Sequence, residues 1–164
     1  MSGAPSCDKA GLGGGEAGMS PMSGNDDARA PILVEVGAGE LVDKATILDI
    51  KLARFSDAAK RANVEREWRA LEPARARLKR AFPAVAALEA ALKRVNETLW
   101  EVEDAIRRCE AEGDFGPRFV ALARAVYQNN DRRAALKKEI NLAAGARIVE
   151  EKSYADDGSQ ARGG

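Results

Sequence analysis

Val85, Leu88, Leu92, Val95, Leu99, Val102, Ile106 and Cys109 recur at alternating steps of three and four without a break. That period places all of them on one stripe of a helix about seven turns long, the sequence form of a coiled-coil seam. Each large side chain in such a seam contributes roughly 1.5–3 kcal/mol when fully buried. None of that is gained by a helix standing alone, so the seam commits the chain to a packed helical assembly. Phe82-Pro83 marks the reversal into this helix, and Gly113 can end it.

The neighbours follow from the same period. In residues 39–55, Leu41, Ala45, Leu48, Leu52 and Phe55 form one apolar face and Ile47 and Ile50 a second, with Lys44 and Lys51 in the strip between. A helix with two apolar faces packs on two partners, which sets both ammonium groups near a groove where each needs an anion or a route to water. Residues 57–81 predict a second helix, started by Ser56 and Asp57, with Val64, Trp68, Leu71, Leu78 and Phe82 on one face and a kink or restart where Pro73 interrupts it. Gly116-Pro117 opens a fourth helix whose stripe is Phe119, Leu122, Val126, Leu136, Ile140 and Ala143. Asn129 and Arg133 fall within that stripe and leave a polar gap in its middle.

Charge supports lateral pairing. Residues 60–80 carry eight basic groups against three acidic, and 88–112 carry seven acidic against four basic. Setting the second helix beside the third specifies register, and it occupies the arginines that nucleic acid would need. Ile32 to Val36, ILVEV, is rich in β-branched residues and reads as a short strand able to pair with 147–152 and tie the ends together. The expected architecture is therefore all-α, an antiparallel helical hairpin bundle of about four helices with coiled-coil-like packing and a short two-stranded pairing of its ends. It spans 31–154, between a Gly/Ser/Ala-rich tail at 1–30 and a polar tail at 155–164, both expected to be disordered.

The chain contains no histidine, which removes histidine-dependent nucleophile systems, the usual zinc sites and Glu-x-x-His iron ligation. No metal or cofactor is expected. Lys plus Arg equals Asp plus Glu, 26 against 26, so no global field draws the protein to nucleic acid or an anionic membrane. Cys7 in a glycine-rich tail and Cys109 in a core seam do not suit a disulfide, and no apolar run suits a signal peptide or membrane span. A reducing cytoplasm is the expected location.

Three constellations carry the polar chemistry. Lys44 and Lys51 either snorkel and pair with Glu97, Glu103 or Asp104, or clamp an anion inside the bundle. Arg124, Tyr127, Asn129, Asn130, Asp131 and Arg133 crowd the gap in the fourth helix, as a capped restart, a buried network that fixes packing, or a ligand site. Asn96, Trp100 and Glu103 stack beside the third-helix seam, where a tryptophan covers a second packing contact or marks a binding surface. Gly37-Ala38-Gly39 between a strand and a helix suggests a phosphate loop only weakly, because Glu40 and Asp43 would repel phosphate.

Four segments, GELVDKATILDIK, NETLWEVED, LARAVYQNNDRRA and IVEEKSY, resemble a family of small bacterial proteins of unestablished function. The resemblance covers about residues 32–154; it implies a small helical bacterial protein and no particular activity. Its motif residues include groups already singled out by spacing: Lys44, Lys51, Asn96, Glu103, Arg124, Tyr127, Asn130 and Arg133. Together they define a candidate polar centre. Two functions compete for it. The first is a non-enzymatic interaction or adaptor protein that self-associates or binds a protein partner. The second is a small all-α enzyme or binding protein holding a carboxylated or phosphorylated molecule between helices, with Glu103 or Tyr127 as acid-base groups.

Overall fold

The computed structural model describes residues 32–148, which fold into four helices: α1 (Ala38–Arg54), α2 (Ala58–Ala81), α3 (Val85–Glu112) and α4 (Pro117–Ala143). The seam of α3 is the backbone of the packing, with Val85, Leu92, Val95, Leu99 and Cys109 buried along it. Val42 of α1, Val85 and Leu92 of α3 and Ile140 of α4 form the central cluster, flanked by Ala38, Leu78, Leu88, Leu136 and Ala143. The all-α bundle expected from the helical periods is the fold observed. α3 packs most extensively on α4, while α1 lies against all three other helices.

Local chemistry sets the helix ends. The Asp57 carboxylate accepts the Lys60 N–H at 2.9 Å and starts α2. Gly113, at φ 67°, ends α3 in the left-handed conformation, and the Asp114 N–H then reaches the Cys109 carbonyl at 2.9 Å. Pro117 occupies the first turn of α4, where its missing N–H costs nothing.

Four expectations are corrected. Residues 32–37 carry no strand, and neither do 147 and 148; the remainder of the expected partner, 149–152, lies outside the described residues. The ends of the unit meet instead through the exposed Arg147–Glu35 ion pair, Nη2 to Oε1 3.0 Å. α2 runs through Pro73 without a restart, because that residue lies on the solvent side of the helix. Nor does α4 restart at Asn130-Asp131: the Asn129 and Asn130 amides donate to the carbonyls four residues back, at 2.8 and 3.1 Å, along a continuous helix. Finally, α2 packs chiefly on α1 and touches α3 little, so the acidic and basic helices do not pair along their lengths. Their ionic contact is local, from Arg75 and Lys79 to Glu89. The tails expected to be disordered, 1–30 and 155–164, lie outside the described residues.

The glycines before α1 serve close approach. A Cβ on Gly39 would lie 2.5 Å from the Lys137 carbonyl oxygen, and one on Gly37 2.8 Å from the Ile148 carbonyl oxygen. Since the obstruction is backbone, Gly39→Ala must push α1 off α4. Chemical denaturation should show a loss of about 2 kcal/mol, whereas Gly113→Asn, at an open left-handed position, should lose much less.

Candidate functional site

Where α1 crosses α4, ionic groups meet in the interior. Arg133 grips the Asp43 carboxylate with two parallel bonds, Nε to Oδ1 at 2.8 Å and Nη2 to Oδ2 at 2.5 Å. The Asn96 amide of α3 donates to the same Oδ1 and to Thr46 Oγ1, both at 3.0 Å, and the Thr46 hydroxyl donates to the Asp43 carbonyl at 2.8 Å. Asp43, Thr46 and Asn96 are all buried, so a carboxylate here is tolerable only with this full set of donors. The pattern extends along α4 at steps of four: Lys137 pairs with Glu40, and Asn141 Oδ1 accepts the Gly39 N–H at 2.7 Å. Asn141 thus caps α1 from a residue 102 positions away, in place of the local side-chain cap that α1 lacks.

A second ionic knot joins α1, α2 and α3. Arg75 is buried and donates from Nε to Glu89 at 2.5 Å and from Nη2 to Asp49 Oδ2 at 2.7 Å. Trp68 Nε1–H adds a bond to Asp49 Oδ1 at 2.7 Å, and Lys79 Nζ lies 3.1 Å from Glu89. Burial works against the charged guanidinium, but the hydrogen bonds and charges of Asp49 and Glu89 outweigh it, and the pKa of Arg75 is raised. Among the described residues no buried side-chain nitrogen or oxygen lacks a hydrogen-bond partner.

The residues singled out by sequence divide into two sets. Asn96 and Arg133 are at the polar centre, and with Glu103 they line an open cleft of about 290 Å³. Ile47, Ile50, Leu99 and Trp100 supply its apolar wall. Asp104 and Arg107 lie at its edge, and Arg107 pairs with Glu103 at 3.1 Å. The other residues lie elsewhere. Lys44 is exposed and pairs with Glu67 of α2 at 2.7 Å, not with a carboxylate of α3, because its strip of α1 faces α2. Lys51 is half-buried and makes no ion pair among the described residues. Asn130 is satisfied by the Val126 carbonyl, and Arg124 and Tyr127 lie on the outer surface of α4. Trp100 covers a packing contact: Phe55 meets it edge-on at 6.1 Å and Arg54 sits over its ring at 5.7 Å.

The acids of both networks share helical faces with other residues of those networks. Asp43, expected above only to repel phosphate, has Thr46 and Ile50 on its own face at steps of three and four. Glu89 lies in a second stripe of α3, Val85-Glu89-Leu92-Asn96, and Trp68-Glu72-Arg75 shows the same spacing on α2. Spacing of that kind was the available signal.

Among the described residues no group of three or more metal-ligating side chains converges, and no helix is long and apolar enough to cross a membrane. Residues 32–162 match the model of a family of unknown function, DUF6165. No curated protein and no solved structure matches the chain.

Proposed function

Since the chain belongs to DUF6165, a family of unknown function, we propose from its own geometry that it is a non-enzymatic helical interaction protein of the bacterial cytoplasm. One observation carries this reading: the central cation already holds an internal anion. Arg133 spends its Nε and Nη2 donors on Asp43, which also receives Asn96. An incoming carboxylate or phosphate would have to displace a buried, bidentate partner. The remaining predicted cations do not join it, since Lys44 pairs with Glu67 and Arg124 faces outward. A buried, unpaired Cys109 thiol agrees with a reducing compartment.

The second reading keeps one supporting observation, the cleft beside Trp100, whose volume is near the lower limit of small-molecule sites. Its edge carries Glu103 and Asp104 as well as Arg107, so it offers an anion no net attraction. A thermal-shift panel of phosphorylated and carboxylated metabolites separates the two. The expected result is no saturable rise in Tm. A rise that saturates, and that Trp100→Ala or Arg107→Ala abolishes, would establish the ligand-binding reading instead.

A further inference from the structure

Resting on the interaction reading above, we infer that the outer face of α4 is the docking surface and that its occupant is a second copy of this chain. Val120, Arg124, Tyr127, Asp131, Ala135 and Leu142 follow one another at heptad-like steps of four, three, four, four and seven. All six are exposed. This is a second stripe on a helix whose first stripe already faces the core, and it alternates apolar and charged groups. Tyr127 is 55% exposed, Val120 46% and Leu142 66%, and Phe115 just before the helix is 56% exposed. These four are among the large apolar side chains that the described residues leave exposed. Arg124 and Asp131 have no ion-pair partner among the described residues. The fold therefore gives neither of them a task.

The occupant follows from the order of these residues. Two α4 helices laid antiparallel about a twofold axis between Tyr127 and Gln128 bring Arg124 opposite Asp131 of the second copy, and Asp131 opposite its Arg124. Both ion pairs form at once, which is the self-complementarity a twofold interface requires. The same register sets Val120 against Ala135 and brings the two Tyr127 rings together at the axis. Shifting the register by one heptad breaks both ion pairs. At 27 residues α4 is about 40 Å long. A single helix pair of that length is at the small end of stable interfaces, so the dimer should dissociate on the order of micromolar concentrations.

Sedimentation equilibrium of the full chain tests this directly. The wild type should show a concentration-dependent monomer-dimer equilibrium. Arg124→Glu and Asp131→Arg should each weaken it at least about tenfold by setting like charges opposite each other. Mixing the two variants, or combining both changes in one chain, should restore it. Circular dichroism of each variant should match the wild type, because both positions are exposed and seven residues apart. A wild type that stays monomeric at several hundred micromolar, or a dimer indifferent to both single reversals, would overturn the proposal. That failure is distinct from failure of the interaction reading, which a saturable thermal shift with an anionic metabolite would reveal.

Discussion

Asp43→Ala is expected to lower the free energy of unfolding by about 3–5 kcal/mol, the cost of breaking a buried bidentate ion pair by removing its carboxylate. The loss extends beyond one ion pair. Arg133 loses its bidentate partner, and the Asn96 amide keeps only Thr46 as acceptor. A domain of this size has a total stability of only about 5–15 kcal/mol, so the variant should lie close to its unfolding threshold at 37 °C. Urea denaturation followed by circular dichroism measures the loss. Lys44→Ala makes the comparison, because it removes an exposed pair with Glu67 and should cost less than about 1 kcal/mol. If the two variants lost similar amounts, the polar centre would not be what joins α1 to α4.

Arg75→Ala should be comparably damaging, at about 3–5 kcal/mol, because it strands the buried Glu89 carboxylate and leaves Asp49 with Trp68 alone. Lys79 remains near Glu89, so some compensation is expected. The informative comparison is the paired change Arg75→Met with Glu89→Leu. Replacing both charges by apolar groups of similar volume removes the desolvation cost of the Arg75–Glu89 pair along with its attraction, and should recover the part of the loss that comes from stranding Glu89, while Asp49 stays with Trp68. Equal destabilisation by the single and paired changes would mean that Arg75 contributes packing alone.

The helices were legible in the sequence because each rests on a local rule. The unbroken three-four spacing of α3, the Gly113 stop and the Gly116-Pro117 start are all short-range features, and the structure uses them as written. The polar gap in α4 was legible for the same reason, since Asn129 and Arg133 interrupt an apolar stripe. What filled the gap was not legible. The Asp43–Arg133 bond links residues 90 positions apart, and the acid looked like an ordinary first-turn carboxylate until α4 lay across it. Lys44 differs from expectation because periodicity gives a residue's angle on its own helix and not which neighbour lies at that angle; here the neighbour is α2. The same limit explains the charge argument for α2 and α3. Complementary composition says that two helices can pair, but α1 takes up the place between them, and only the end near Arg75, Lys79 and Glu89 makes the contact. Residues 32–36 are not a strand for a related reason, because β-branched residues favour a pleated surface only when a partner strand pairs with them, and none does so among the described residues.

The central claim is that the ions of α1 and α4 are committed to each other. A double-mutant cycle on Asp43→Ala and Arg133→Ala, read by urea denaturation, measures that commitment directly. The account predicts a coupling free energy of at least about 2 kcal/mol, with the double variant little worse than the more damaging single one. Losses that add to within about 0.5 kcal/mol would contradict it, since they would mean that the two groups act independently and that Arg133 is available to something else.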